Sequence, residues 1–315
     1  MDVGAYLSVN TIQHAYQLNA PGRKVCLAIG VFDGVHLGHQ QIIQQTINDA
    51  RQHEATALIV TFDKHPNAIV APDRVPPLIY SLPQKVRAIE ALGADALLEI
   101  PFDREFSQQT GEIFIRSLAR DLGQIQSIYV GADFVFGCKR SGNVALLRQL
   151  GRELHFLVHG LAAVALDGET VSSTRIREAI NAGNFAAASQ MLGRDYSIAG
   201  KVIQGDQLGS KLGFPTANLD TTGMLLPPNG VYAAQVRVGT KLHRSVLNIG
   251  IRPTIQNPTP SPRVEVHLLD FIGDLYGQEM EITFADKLRD EKKFPTVEAL
   301  REQIQQDVAA ARVVF

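Results

Sequence analysis

The chain has 315 residues, of which 45% are hydrophobic and 20% are charged, and its formal net charge is −2 at pH 7. This length is enough for about two domains that each bury a core of their own. A charge balance near zero without a long Lys/Arg cluster excludes a broad nucleic-acid-binding face, so small-molecule substrates are expected. Two cysteines are too few for a disulfide framework or a metal cluster.

The N-terminal sequence has neither the basic start and apolar core of a signal peptide nor its cleavage pattern, and no segment reaches membrane-spanning length. We therefore expect a cytoplasmic protein without a membrane partner. The sequence gives no indication of oligomeric state.

Apolar strands and helical patterns alternate through about the first 160 residues, which predicts a parallel sheet with crossover helices. Strands are predicted at residues 25–32, 55–62, 94–100 and 127–130, and helices at 82–92, 111–122, 173–181 and 184–192. After Gly193 the chain changes to short β-rich runs broken by Gly, Pro and Asn, as in residues 226–232 and 250–254. These runs predict a small antiparallel barrel. A final helix from about Thr296 carries an apolar stripe of Val297, Leu300, Ile304 and Val308, expected to be a packing face.

Residues 30–43 place two histidines where a strand ends and a helix begins. Gly34 and Gly38 allow a sharp turn and close approach to an anion, while the new helix offers unpaired N–H groups. The imidazoles of His36 and His39 can donate hydrogen bonds to phosphate oxygens. The alternative is a turn that happens to contain two surface histidines. The pattern resembles the HxGH nucleotidyltransferases, which transfer a nucleoside monophosphate.

Three further clusters accompany these histidines. Residues 61–66 follow the second strand, and the carboxyl ends of parallel strands are where such sheets bind ligands. Residues 131–137 combine an acid with two phenylalanines suited to a flat ring. Residues 171–177 open a helix with hydroxyls and two arginines, a second anion site. Taken singly, each cluster has an ordinary structural explanation as helix caps, core aromatics or a turn histidine.

In order, GxFDxxHxGH, TFxxHP, GxDFxFG and SSTRIR resemble the FMN adenylyltransferase module of bacterial bifunctional FAD synthetases. The resemblance implies a Rossmann-like α/β domain at residues 1–185, in which Asp133 and Phe134 lie in the flavin pocket. It assigns ATP and its phosphates to one set of residues: Gly30, Phe32, Asp33, His36, Gly38, His39, Ser173, Thr174 and Arg177. His36 and His39 are the catalytic members of that set. Lys64 departs from the family, which usually has proline there.

The second half carries separate chemistry. Residues 209–218 form a loop able to wrap phosphate and to offer the Thr216 hydroxyl and the Asn218 amide oxygen to Mg²⁺. Residues 264–270 alternate as a strand, so Glu265 and His267 face one side. Glu265 could accept a proton from an alcohol, or could be an exposed acid on an edge strand. The alternative for the loop is an ordinary turn containing proline.

The ordered set GxVxxG, LGFPTAN, LPPNGVYA, NIGIRPT, EVHLLDF, DLYG and LRDEKKF resembles the riboflavin kinase module. The resemblance implies a β-barrel domain with a C-terminal helix at residues 186–315, with Thr216 and Asn218 on magnesium and Glu265 in catalysis. It assigns the loop containing Gly205, Gly209 and Gly213 to the nucleotide phosphates. Ser210 stands where many relatives carry arginine.

Together the resemblances imply a bifunctional flavin cofactor synthase. ATP and riboflavin would give FMN and ADP with Mg²⁺ as cofactor, and a second ATP with FMN would give FAD and pyrophosphate. Two alternatives remain. In the first, the N-terminal domain acts on another acceptor and the barrel is a binding module. In the second, the chain is a flavin sensor without catalysis.

Overall fold

The computed structural model describes residues 9–18, 22–205, 208–251 and 262–315, which form two compact units. The first unit comprises the described residues up to 173 except 79–81, and the second comprises 79–81 together with those from 174 onward. Residues 252–254 of the run quoted above and residues 206–207 of the predicted phosphate loop lie outside the described ranges.

The first unit is built on a six-stranded parallel sheet with the strand order β1-β4-β3-β2-β5-β8. Its strands are β1 Asn10–Ile12, β2 Lys24–Ile29, β3 Thr56–Phe62, β4 Ala96–Ile100, β5 Gln124–Gly131 and β8 Leu157–Leu161. Short antiparallel pairs are formed by β6 Val135–Phe136 with β7 Gly142–Asn143 and by β9 Ala165–Leu166 with β10 Glu169–Thr170. The helices are α1 Leu37–Gln52, α2 Asn67–Val70, α3 Leu82–Glu90, α4 Gly111–Leu122 and α5 Val144–Leu154.

Apolar side chains pack on both faces of this sheet. All seven residues of β3 are buried, as are five of the six residues of β2, because a parallel strand covered on both faces has no polar side. One core cluster contains Leu27 and Leu58, and the other contains Cys26, Ile43 and Ile59. The predicted parallel sheet with crossover helices is therefore confirmed.

Cys26 is fully buried, as its position within a core strand predicts. Its thiol contacts the Asp49 carboxylate at 3.4 Å, and the same carboxylate accepts a hydrogen bond from Ser127. Burial raises the pKa of the Cys26 thiol to about 12, so this cysteine stays protonated and unreactive at neutral pH.

The strand order reverses between β2 and β5, because β3, β4 and β1 lie on one side of β2 while β5 and β8 lie on the other. Ligands of open parallel sheets bind beyond the carboxyl ends of the strands at this point. β2 ends at Ile29, so the prediction that this strand continues to Phe32 was wrong. Phe32 has the left-handed value φ 51°, which breaks the extended backbone although the residue is apolar.

The second unit is a closed six-stranded antiparallel barrel with the order β11-β12-β15-β14-β13-β16. Its strands are β11 Ser197–Ile203, β12 Ala217–Leu219, β13 Gly230–Val238, β14 Lys241–Ile251, β15 Pro262–Leu268 and β16 Glu279–Arg289. Its helices are α6 Ser173–Asn181, whose first residue belongs to the first unit, α7 Phe185–Leu192, α8 Leu208–Leu212 and α9 Val297–Val314. This confirms the predicted barrel with a C-terminal helix.

Helix α9 packs on the barrel through Ala311, which is fully buried in a cluster with Val231 and Val246. The predicted apolar stripe is only partly a packing face. Val297 is 57% exposed, whereas Leu300, Ile304 and Val308 border a cavity.

The division between the units falls in the first turn of α6, earlier than the boundary predicted after residue 185. Helix α7 belongs to the second unit because the Phe185 ring lies 4.9 Å from Phe284 and 5.8 Å from Tyr196, centroid to centroid. Among the described residues, no helix is long and apolar enough to cross a bilayer.

We predict that a fragment of residues 184–315 folds alone, because it keeps the closed barrel, α9 and Phe185. Phe185→Ala in this fragment should lower the free energy of unfolding by about 2 kcal/mol, since it removes a half-buried ring from an aromatic cluster. Chemical denaturation followed by circular dichroism measures both the folding of the fragment and the change in its free energy of unfolding. Val313→Ala, at an 86% exposed position, is the control and should change stability by less than about 0.5 kcal/mol. Equal stability of the two variants would show that α7 is not part of the barrel's core.

Candidate active sites

His36 and His39 form a stacked pair at the carboxyl end of β2. Their ring centroids are 3.6 Å apart with an interplanar angle of 21°, and the Phe32 ring meets His39 edge-on at 5.3 Å. His36 is 7% exposed and is the N-cap of α1. Two imidazoles held at the positive end of a helix provide hydrogen-bond donors for phosphate oxygens.

The turn that leads to this pair is held in an unusual backbone conformation. Phe32, Gly34 and Val35 have φ values of 51°, 76° and 40°, and the last is costly for a β-branched residue. Gly38 has a different role, because a Cβ there would lie 3.2 Å from Cε1 of His36. The absence of a side chain at Gly38 therefore leaves room for the imidazole.

The loops after β3 and β5 lie beside this turn in the sheet order, since both strands pair with β2. After β3, Nδ1 of His65 accepts a hydrogen bond from the backbone N–H of Asn67 at 3.1 Å. Lys64, the departure from the family pattern, forms a 3.1 Å ion pair with Asp63. After β5, Phe134 stacks on Phe136 with centroids 5.1 Å apart.

Both phenylalanines are partly buried and pack against the core of the first unit, so their rings contribute to the fold as well as lying near the end of β5. Asp133 beside them is exposed, and Asp33 in the histidine turn is buried. The flavin and ATP roles assigned to these residues stay predictions.

Ser173 is joined directly to the histidine turn, because its Oγ donates a hydrogen bond to the backbone oxygen of Asp33 at 3.2 Å. The first unit thus brings together Asp33, His36, His39 and Ser173. Thr174 and Arg177 follow on α6 and belong to the second unit.

A second candidate site is a cavity of about 330 Å³ in the barrel unit. Its lining includes the predicted residues Gly209, Thr216, Asn218 and Glu265. Apolar groups from Val231, Val246, Phe294, Leu300, Ile304 and Val308 form another part of its wall. A cavity with an apolar wall and a few convergent polar groups is the usual form of a small-molecule site.

Strand register sets the polar face of this cavity. On β15, Val264, Val266 and Leu268 are buried, while Glu265 and His267 alternate with them on the other face, as predicted. Glu265 is the register partner of Asn218 on β12 and of Asn248 on β14. β15 therefore lies between two strands of a closed barrel, so Glu265 is not an exposed acid on an edge strand.

The Thr216 loop is held by His267 and packs closely against two glycines. His267 lies with Nδ1 2.8 Å from the Pro215 carbonyl, an acceptor, so Nδ1 carries the donated proton. A Cβ at Gly205 would overlap the Asn218 amide, and one at Gly209 would come within 2.9 Å of the Thr216 hydroxyl. Of the other predicted loop residues, Gly213 has φ 88°, which favours glycine, and Ser210 is exposed.

The donors in this cavity fit magnesium in type. Within the described ranges, no group of three or more His, Cys, Asp or Glu side chains forms a metal cluster. Thr216, Asn218 and Glu265 instead offer hydroxyl, amide and carboxylate oxygens beside glycines that keep the space open. A small number of hard oxygen donors suits Mg²⁺, because this ion usually keeps several coordinated water molecules and also binds the phosphates of the substrate.

Several residues of both sites were missed by the sequence analysis. In the barrel, Arg289 makes a bidentate ion pair with Asp307, which is 5% exposed, and its Nη2 lies 2.7 Å from Oδ2. Asn248 and Glu291 also line the cavity. In the first unit, Lys85 is 8% exposed beneath the histidine turn. Its sequence signal was available, because Lys85 lies one helical turn before the buried Ile89.

Comparisons with known proteins match a different family to each part of the chain. A FAD synthetase family model matches residues 19–175, and a riboflavin kinase family model matches residues 192–315. The bifunctional riboflavin kinase/FMN adenylyltransferase of Haemophilus influenzae is 36% identical over 290 residues, which are 92% of this chain and 94% of that protein. The protein of the same description from Escherichia coli K12 is 36% identical over 297 residues, 94% of each chain.

A crystal structure described as a macrolide-efflux protein from Streptococcus pneumoniae has the same fold along the chain. It is 27% identical with a TM-score of 0.79, and the match covers 97% of this chain and 99% of that one.

A FAD synthetase domain followed by a riboflavin kinase domain defines a class of two-domain flavin transferases. Within that class, the chain belongs to the bifunctional riboflavin kinase/FMN adenylyltransferase family.

Proposed function

We propose that this chain phosphorylates riboflavin to FMN in the barrel unit and adenylylates FMN to FAD in the parallel-sheet unit. The observation that carries the proposal is that one chain holds both sites. Asn218 and Glu265 are register partners in the barrel cavity, and His36 stacks on His39 at the carboxyl end of β2. A cytoplasmic location, expected from the sequence, is part of the same proposal.

In the kinase step, Glu265 accepts the proton of the ribityl 5′-hydroxyl as the hydroxyl oxygen attacks the γ-phosphorus of ATP, and ADP leaves. General-base transfer of this kind contributes about 10²–10⁴-fold to the rate. Thr216 and Asn218 are the residues that would hold Mg²⁺, and His267 fixes the backbone beside Thr216. When bound, Mg²⁺ supplies positive charge that stabilises the transferring phosphoryl group.

In the adenylyl step, an FMN phosphate oxygen attacks the α-phosphorus of a second ATP, and pyrophosphate leaves. The nucleophile is already anionic at neutral pH, because the second pKa of a phosphate monoester is about 6. No side-chain base is required. His36 and His39 donate hydrogen bonds to the phosphate oxygens and stabilise the charge that develops during transfer.

The test is incubation of the purified chain with riboflavin, ATP and magnesium, followed by chromatography of the flavins. Riboflavin should be converted through FMN to FAD, and chelation of magnesium with EDTA should stop the first step. FAD made only from supplied FMN would indicate a barrel that binds without phosphorylating. Recovery of neither FMN nor FAD would contradict both halves of the proposal and leave a non-catalytic flavin protein.

Glu265→Gln should lower riboflavin phosphorylation by about a hundredfold or more, because it keeps the side-chain size and removes the proton acceptor. Supplied FMN should still become FAD at the wild-type rate. The matched control is Glu302→Gln, which removes an exposed carboxylate of α9 and should change neither activity. Equal loss of both activities in the Glu265 variant would point to a folding defect instead of a lost base.

The double variant His36→Ala and His39→Ala should abolish most FAD formation, with a loss of at least about a hundredfold, because both donors to the transferring phosphate are removed. FMN should then accumulate from riboflavin, since the barrel site is intact. His14→Ala removes an exposed imidazole of the same unit and serves as the control. An unchanged FAD yield in the double variant would show that the histidine pair is structural.

A further inference from the structure

Lys85 is a buried, charged side chain of the first unit, and the proposed mechanism does not use it. It lies on α3, on the face that carries the buried residues Gln84 and Ile89, and is 8% exposed. Lysine is almost never this buried unless its ammonium is paired, since the charge would otherwise be removed from water without compensation. The position therefore calls for a specific set of partners.

The ammonium of Lys85 meets three acceptors at the carboxyl ends of two neighbouring strands. Nζ lies 2.8 Å from the Phe62 carbonyl, 3.1 Å from the Thr61 hydroxyl and 3.4 Å from the Val31 carbonyl. The Thr61 hydroxyl in turn donates to the Val31 carbonyl at 3.1 Å. Because the ammonium can only donate, it occupies an acceptor site of the Thr61 oxygen and leaves that hydroxyl's proton for Val31.

These contacts hold the start of the histidine turn against the end of β3. Val31 is followed by Phe32, Gly34 and Val35, the residues with positive φ, and then by His36. A conformation of this kind persists only where the surroundings fix it. Lys85 and Thr61 restrain the turn at Val31, and Ser173 restrains it at Asp33.

The charges that face Lys85 keep it protonated at neutral pH. Burial, the largest effect, lowers the pKa of the ammonium, whereas Asp33 in the turn, Glu99 on β4 and Asp63 after β3 each raise it. Together these effects lower the pKa of Lys85 from 10.5 to about 8. The ammonium is therefore charged at pH 7 and loses its proton within an accessible pH range. Deprotonation would remove one of the three donors and the positive charge that fixes the Thr61 hydroxyl.

We propose that Lys85 is a positioning residue for adenylyl transfer, which sets the location of the His36–His39 pair by tying Val31 to the end of β3 through Thr61. Lys85 lies beneath the turn and acts on the backbone of Val31. The proposal rests on the proposed function of this unit. A 1 Å displacement of a catalytic group is enough to cost about a hundredfold in rate.

The first measurement compares Lys85→Met and Thr61→Val with the wild type in the full-length protein. Both variants keep the volume of the side chain, and each removes one of the two contacts to the Val31 carbonyl: Lys85→Met that of the ammonium and Thr61→Val that of the hydroxyl. We expect kcat for FAD formation from FMN to fall tenfold or more, with a smaller change in KM for ATP. Riboflavin phosphorylation in the same molecules should stay within twofold, which reports folding and concentration internally. Arg120→Met removes a cation that is 74% exposed on α4 and should change neither activity.

The double variant Lys85→Met with Thr61→Val tests whether the two side chains act as one unit. The double variant should lose less FAD formation than the product of the two single losses, because the Lys85 ammonium and the Thr61 hydroxyl contact each other at 3.1 Å and share the Val31 carbonyl. Losses that multiply would overturn the relay through Thr61. Unchanged kcat in Lys85→Met would overturn the positioning role. Absence of FAD formation by the wild type would instead contradict the proposed function.

The pH dependence separates positioning from a general effect on stability. FAD formation by the wild type should fall as pH rises through about 8, and the residual activity of Lys85→Met should lack this decrease. The stability of the fold should change in the opposite direction. The unfolded lysine, with a pKa of 10.5, holds its proton between pH 8 and 10.5 while the folded one releases it, so this group makes stability rise with pH. A decrease in activity that persists unchanged in Lys85→Met would assign it to another group and contradict the proposal.

Discussion

Strand register is the constraint on which both sites depend. In the first unit, parallel pairing of β2 with β3 and β5 puts the loops after all three strands at one edge of the sheet. In the second unit, antiparallel pairing puts Asn218, Glu265 and Asn248 side by side across three strands. A slip of one residue in β15 would turn Glu265 into the core and Val264 or Val266 toward the cavity. The buried valines on the opposite face are therefore what fixes the carboxylate.

The two units reach their sites by different physical means. The parallel sheet buries both faces of β2 and β3, so polar groups can only gather where the strands end. The barrel strands bury one face each, so polar side chains can lie along a strand, as Glu265 and His267 do. This difference explains why the residues proposed to bind nucleotide in the first unit lie in turns and at the starts of helices. In the second unit, by contrast, the proposed catalytic residue Glu265 lies on a strand.

Much of this arrangement could be predicted from the sequence, because hydrophobic periodicity reports burial directly. The alternation around Glu265 identified a strand and its buried face, and the apolar runs of β2 and β3 identified strands that are buried on both faces. The end of β2 was misplaced because hydropathy does not report a left-handed residue at Phe32. Lys85 was missed for a related reason. Its spacing from Ile89 placed it on the buried side of α3, but a lysine is normally assigned to the surface, and the three acceptors that pair its ammonium lie far from it in the sequence. The roles assigned to the site residues stay predictions.

Closure of the barrel has a consequence for how this unit can change over evolutionary time. Each of the six strands is paired on both sides, because β11 joins β16 as well as β12. An insertion within one strand would have to be matched around the whole ring or absorbed as a bulge, as between β13 and β16, where the register shifts twice. Changes in length are therefore confined to the connections between strands, which can vary in sequence and size while the row of side chains across β12, β15 and β14 is inherited intact.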